Sequence, residues 1–282
     1  TLVAFRDPLG FRPLTVGQIG DDWVVASETC ALDLIGASVV RDVRPGEIVW
    51  VDAEGLHAAQ GVPARRNALC IFEHVYLARP DSRVAGVEVH GARVRMGERL
   101  AAEAPVEADL VIGVPDSGTP AAIGFSKASG IPFNEGLIKN RYVARTFIQP
   151  DQAMREQGIR MKFNPLDEVA GQRIVVVDDT IVRANTTRQL VAMLLDGGAA
   201  EVHVRISSPP VVSPCYYGID FPDEDELPAA QRSVEEMREL IGATSLHYLS
   251  VEGMQAATRL PEQSVCRACF TRSYPTRVPA ER

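Results

Sequence analysis

The stretch Arg173 to Thr187, reading RIVVVDDTIVRANTT, constrains this chain more than any other. Ile174-Val175-Val176-Val177 is a short apolar run without polar alternation, the pattern of a strand covered on both faces, as in a parallel sheet. Two carboxylates, Asp178 and Asp179, follow at once. A hydroxyl-rich turn from Thr180 to Thr187 comes next, with Arg183, Ala184 and Asn185 inside it. A helix then opens, with Leu190, Val191, Met193, Leu194 and Leu195 as its apolar side and Gly197-Gly198 as its end. A two-sided strand delivering its chain into a helix is the unit of an α/β fold, with a parallel sheet and flanking helices.

That order has chemical consequences. Unpaired backbone N–H groups at the turn and at the helix N-terminus carry partial positive charge and favour an anion. The hydroxyls of Thr180, Thr186 and Thr187 can donate to phosphate oxygens. Asp178 and Asp179 would repel a phosphate unless they accept from sugar hydroxyls or hold Mg²⁺. A sugar phosphate with a metal ion is the guest this pattern fits. Two solvated Asp residues at a strand end are the simpler alternative for a lone pair of acids, but not for the whole strand–acid–hydroxyl–helix series.

A second turn repeats the plan. Leu110-Val111-Ile112-Gly113-Val114 reads as another buried strand, followed by Pro115-Asp116-Ser117-Gly118-Thr119 and a helix from Pro120 to Ser129. By the same reasoning it offers a second anion site at the same sheet edge. Nearby, IKNRYVAR concentrates cations at Lys139, Arg141 and Arg145. In a chain of formal charge −8 this segment could close over a polyanion and exclude water. Arg155 and Arg160 are further candidates, and the long polar connection around them implies a functional loop or a helix at 151–157. No GxxxxGK[ST] motif occurs, so a P-loop nucleotidase is set aside.

The remaining elements read in order. Residues 2–5 and 14–16 flank RDPLGFRP and are expected to pair. Trp23 to Ala26 is a strand, Ser27 is a candidate cap for a short helix through Ile35, and Ile48 to Val51 is another strand before a DAEG turn. Gly61 to Arg66 is the likeliest boundary, dividing the chain into residues 1–64 and 65–282. Cys70 to Tyr76 reads as a strand, and Arg93 to Glu103 as a helix with Val94, Leu100 and Ala101 inward. After the 202–206 strand, Ser233 and Glu236 form a capping box for a helix to Leu240. A strand at 246–249 and a helix at 251–259 follow.

Acidic balance argues against a general nucleic-acid binder, and no apolar run approaches the ~20 residues of a membrane span. The absence of a secretory leader and of a dense Cys pattern among the five cysteines points to a reducing compartment, the cytoplasm. The first residue is Thr inside an apparent strand, so the chain reads as a fragment or processed product. Cys266 and Cys269 form a CxxC, which by spacing alone suits a metal, a cluster, a redox pair or neither. Cys70 and Cys215 are the available partners for an S₄ site, and spacing does not separate zinc from iron–sulfur.

VVVDDTIVRANTT resembles the loop of type I phosphoribosyltransferases that binds 5-phosphoribosyl 1-pyrophosphate (PRPP). Together with FEHVYLARPDS, VIGVPDSG, GLIKNRYVARTFIQP and the cysteine contexts CIFEHVY, SPPVVSPCYYGID and VCRACF, it is similar to the amidophosphoribosyltransferases in particular. That resemblance implies a type I phosphoribosyltransferase fold. RDPLGFRPL and VASETCALD before it resemble the β-rich end of an N-terminal-nucleophile glutaminase domain, whose earlier part is absent. It implies displacement of pyrophosphate from PRPP by ammonia, drawn from glutamine in the intact enzyme, to give 5-phosphoribosylamine at the opening of purine synthesis.

Asp116, Ser117, Gly118 and Thr119 would form the pyrophosphate loop. Lys139, Arg141, Tyr142 and Arg145 would form a closing loop that carries catalysis. Asp178 and Asp179 would hold Mg²⁺ and the ribose hydroxyls with Ser117 beside them, and Thr180 to Thr187 would seat the 5-phosphate. Cys70, Cys215, Cys266 and Cys269 would bind a [4Fe–4S] cluster, as in one branch of the family. Self-association and purine nucleotides as feedback ligands are implied as well. A non-catalytic PRPP- or nucleotide-binding module, or an inactive fragment, is the alternative. The family usually has Gly where this chain has Ala184, and a positive φ there would cost Ala of order 1 kcal/mol.

Overall fold

The computed structural model describes residues 1–140, 142 and 162–278. Its centre is a four-stranded parallel sheet in the order Leu110–Gly113, Arg173–Asp178, Glu201–Ile206, Ser245–Tyr248. The apolar run of the second strand explains the layering. Val175 and Val177 point into one core with Met96, Leu100, Phe125 and Met254. Ile174 and Val176 point into the other with Leu190, Leu194, Val204 and Met237. Helices Val89–Glu103, Thr119–Ser129 and Val251–Thr258 supply the first core, and Asn185–Asp196 and Val234–Ile241 the second. Every strand residue from Ile174 to Asp178 is buried, as a sheet covered on both faces requires.

The capping box is present. Ser233 Oγ accepts from Glu236 N, and the Glu236 carboxylate accepts from Ser233 N. Among the described residues no helix is long and apolar enough to cross a membrane.

Two antiparallel three-stranded sheets fill residues 2–60: Leu2–Phe5 with Glu47–Asp52 and Gly55–Gln60, and Thr15–Ile19 between Asp22–Ala26 and Ser38–Asp42. The expected pairing of 2–5 with 14–16 is therefore wrong. The segment between them is a knot rather than a hairpin turn. Arg6 donates to the carbonyls of Gly10, Arg12 and Val43, and Asp7 accepts from the N–H groups of Leu9 and Phe11. Ser27 does not cap the next helix, which spans Thr29–Leu34 after Glu28.

Three further expectations are corrected. Of the 70–76 run only Cys70 is in a strand, Leu69–Cys70, which pairs with Val265–Cys266, and Glu73–Leu77 is a single π-helical turn. A short apolar run is equally compatible with a buried helix. On helix Val89–Glu103 it is Arg93 that is buried, while Val94 is half-buried. Leu195 is exposed, outside the apolar side of its helix. The expected helix at 151–157 lies outside the described residues, with Arg155 and Arg160.

The π-helical turn buries an imidazole. His74 is wholly enclosed, and burial pushes its pKa from 6.5 down to about 4. The unfolded chain takes up that proton near its ordinary pKa, the folded chain only near the depressed one. The stability contributed by the neutral ring is thus complete above about pH 6.5 and lost as pH falls toward 4, at up to about 1.4 kcal/mol per pH unit. Urea midpoints of the wild type should fall more steeply across this window than those of His74→Gln, and parallel slopes would contradict the burial.

Candidate active site

The two turns expected to bind anions are neighbours because their strands are. Gly113 is in register with Val177, so Val114–Thr119 and Asp179–Ala184 leave the same edge of the sheet side by side. Gly118 lies against the second strand, where a Cβ would overlap the carbonyl of Val177. Ser117 Oγ donates to Asp179 Oδ1 (2.9 Å), and Thr180 Oγ1 to Asp179 Oδ2 (3.1 Å). Asp179 N donates to Asp178 Oδ1 at 2.9 Å. Asp178 is buried, and burial together with the adjoining Asp179 holds its pKa well above the ordinary carboxylate range.

The helix expected after Thr187 begins earlier, at Asn185, so Asn185, Thr186 and Thr187 are its first turn, with Arg183 exposed before it. Ala184 has φ +60°, the left-handed region. Its methyl is buried in the core cluster that includes Ile181 and Leu190. The strain of order 1 kcal/mol is offset by burial of one methyl, about 0.8 kcal/mol, and by the smaller chain entropy of Ala when unfolded. Ala184→Gly should therefore shift unfolding stability by less than about 1 kcal/mol in a urea titration. A larger gain would mean that strain dominates.

Lys139 lies on the strand Leu137–Lys139, which pairs with Phe163–Pro165 and overhangs the turns. Its Nζ is ion-paired with Asp116. A cavity of ≈ 460 Å³ opens beneath, bounded by Pro115–Ser117, Lys139, Asp178, Asp179 and Thr186 on one side. The other wall is one that sequence reasoning missed: Tyr76 to Pro80 with Arg93, while Lys162 and Phe163 line the cavity beside Lys139. Arg93 holds this wall, donating from Nε to His74 O (3.0 Å) and from Nη2 to Ala78 O (2.7 Å). A hollow of ≈ 700 Å³ adjoins the far side of Lys139, between Thr119 and Phe133–Asn140. Tyr142 is fully exposed, and Arg141 and Arg145 lie outside the described residues.

The four named thiols gather on the other flank. Cys70 and Cys266 are register partners on adjacent strands, and Cys269 begins the next turn. The Cys269 carbonyl accepts from Val212 N and Ser213 N, which brings in the Cys215 segment. All are free. Burial pushes Cys70 up to about 12 and raises Cys266 and Cys269, and Cys269 feels each of the other three.

No family model matches the chain. The amidophosphoribosyltransferase of Mycobacterium tuberculosis is 55% identical over 287 residues, covering 100% of this chain and 54% of that protein. That of Bacillus subtilis is 51% identical over 282 residues, covering 98% and 59%. A solved structure of glutamine PRPP amidotransferase from B. subtilis, complexed with ADP and GMP, superposes with a TM-score of 0.91 at 50% identity, over 99% of this chain and 62% of that one. Over its whole length the chain is homologous to a part of the amidophosphoribosyltransferases. It spans about half the length of the curated relatives it matches. The α/β fold with its parallel sheet is the one this chain shares with the solved amidotransferase.

Proposed function

We propose that residues 65–282 carry a phosphoribosyl transfer in which ammonia displaces pyrophosphate from C1 of PRPP, giving 5-phosphoribosylamine, the first step of purine synthesis. Residues 1–64 are then the end of a glutaminase unit that would deliver ammonia from glutamine in the longer protein. One observation carries the reading: two anion-receptive turns lie side by side at the sheet edge, with Asp178–Asp179 between them and Lys139 overhanging. Asp179 accepts from Ser117 in one turn and from Thr180 in the other, so a ligand with a diol at the acids has an anion seat on either side.

In this reading the backbone N–H groups of Asp116, Ser117 and Thr119 and the Lys139 ammonium take the pyrophosphate, Gly118 N being bonded to Val114 O. Thr180, Thr186 and Thr187 take the 5-phosphate, and the carboxylates accept from the ribose hydroxyls. Catalysis rests on stabilising a departing polyanion and excluding water while C1 becomes cation-like. The all-oxygen set of Asp178, Asp179 and Ser117 fits a hard divalent ion, which allows both acids to ionise in a buried place. Mg²⁺ there would neutralise charge on the leaving group.

Four thiols drawn from three segments suit a soft metal ion or an iron–sulfur cluster, and the family resemblance favours the cluster. Thiols raised this far by burial ionise only against a cationic partner. A [4Fe–4S] group held by Cys70, Cys215, Cys266 and Cys269 would tie the start of the transferase unit to its end, and free thiols are consistent with the cytoplasm. The ≈ 700 Å³ hollow has room for a purine nucleotide, and self-association belongs to the same reading.

The test is pyrophosphate release from PRPP and Mg²⁺ with ammonium salt or glutamine as donor. Turnover with ammonium supports the reading. Tight PRPP binding without release under either donor overturns it in favour of a binding module. Anaerobically purified protein should be brown and contain iron, and a colourless, iron-free preparation overturns the cluster.

A further inference from the structure

The Tyr76–Pro80 wall of the cavity has no sheet behind it. It is one π-helical turn and a bend, held by Arg93 and by His90 N on Pro80 O from within residues 65–282, and by a second set of bonds from residues 1–64. Glu28 Oε2 accepts from Arg79 N and from Ser82 Oγ, both at 2.7 Å. Thr29 Oγ1 accepts from Arg83 N at 2.8 Å, and Arg12 Nη1 donates to the buried Glu73 at 2.9 Å. Ser82 is wholly buried, so Glu28 satisfies a hydroxyl that water does not reach. Glu28 also occupies the N-cap position of helix Thr29–Leu34 without capping it. Ser, Thr, Asp or Asn would serve that helix better. Apart from a long contact from Cys30 Sγ at 3.7 Å, the carboxylate serves the segment that lines the cavity and not the N–H groups of its own helix.

We propose that Glu28 is a positioning residue of the transferase site, setting through the Arg79–Ser82 bend where the Tyr76–Pro80 wall stands against Asp178 and Asp179. This rests on the transferase reading above. Arg93 holds the same wall at His74 O and Ala78 O, so the wall is clamped between residues 1–64 and helix Val89–Glu103. The Glu28 carboxylate bonds to Arg79, Ser82 and Cys30, and to neither of the two turns proposed to seat phosphate. Loss of its carboxylate therefore shifts the face from which an acceptor meets C1, and leaves the phosphate seats in place.

The experiment compares wild type, Glu28→Ala and Glu28→Gln in ammonium-dependent pyrophosphate release, with PRPP affinity measured by calorimetry and amide exchange read at Arg79. Glu28→Ala should lower kcat about 10- to 100-fold, with PRPP affinity changed less than threefold and Arg79 protection lost. Glu28→Gln, which keeps one acceptor oxygen, should recover part of kcat, and it decides the question if the Ala variant does not fold. Wild-type kcat in Glu28→Gln together with unchanged Arg79 protection overturns the proposal, as does an equal loss of PRPP affinity and kcat. An inactive wild type overturns the transferase reading instead, while loss of Arg79 protection in Glu28→Gln would still support the clamp.

Discussion

Asp179→Asn should reduce ammonium-dependent pyrophosphate release by about 10³-fold, or about 4 kcal/mol of transition-state stabilisation, while leaving the fold intact. The carboxylate stands where both seats meet, accepting from Ser117 at 2.9 Å and from Thr180 at 3.1 Å. Asn preserves the shape and one acceptor oxygen, so the turns should stay in place. What it removes is a negative charge and one acceptor oxygen, which on the proposed reading would serve a divalent ion and a ribose hydroxyl. Asp178→Asn should cost similar activity with the opposite effect on stability. Asp178 is buried beside a like charge, and neutralising it should raise stability by about 1 kcal/mol. Steady-state rates with saturating Mg²⁺ and thermal melts of both variants separate the two effects. Activity within tenfold of wild type in Asp179→Asn would remove the acid pair from the reaction.

Those acids were legible because everything that defines them lies in one window: strand, carboxylates, hydroxyl turn and helix follow without interruption from Arg173 to Asp196. The turn at 115–119 was legible for the same reason, and adjacency of the two needed only parallel pairing. The opposite wall was not. Arg93 sits in a helical pattern where a cation normally faces water. It is buried because the π-helical turn presents two carbonyls, at His74 and Ala78, that need a donor. No periodicity announces that turn, since FEHVYL reads equally as a strand. Long-range pairing failed similarly: Leu2–Phe5 joins Glu47–Asp52, more than forty residues away, because Arg6 and Asp7 fold the nearer segment into a knot. The Glu28 contacts to Arg79 and Ser82 span fifty residues and more, beyond any local signal.

Gly97→Ala and Gly124→Ala should each destabilise the fold by about 3 kcal/mol, although Ala is the better helix former by about 1 kcal/mol. Helices Val89–Glu103 and Thr119–Ser129 pack backbone to backbone at these positions. A Cβ on Gly97 would overlap the carbonyl of Ala121, and one on Gly124 the carbonyl of Val94. Neither obstacle is the end of a flexible side chain, so the helices must separate, and the steric cost exceeds the propensity gain. Separation also bears on the site. The first helix carries Arg93, which holds the Tyr76–Pro80 wall, and the second begins at Thr119, at the end of the 115–119 turn. Moving one from the other widens the cavity between its two walls. At about 2–4 °C per kcal/mol, each variant should melt roughly 6–12 °C below wild type, and the protein still folded at 25 °C should bind PRPP more weakly. A melting temperature within 2 °C of wild type for Gly97→Ala would mean that the helices can part without cost, and that their contact does not set the distance across the cavity.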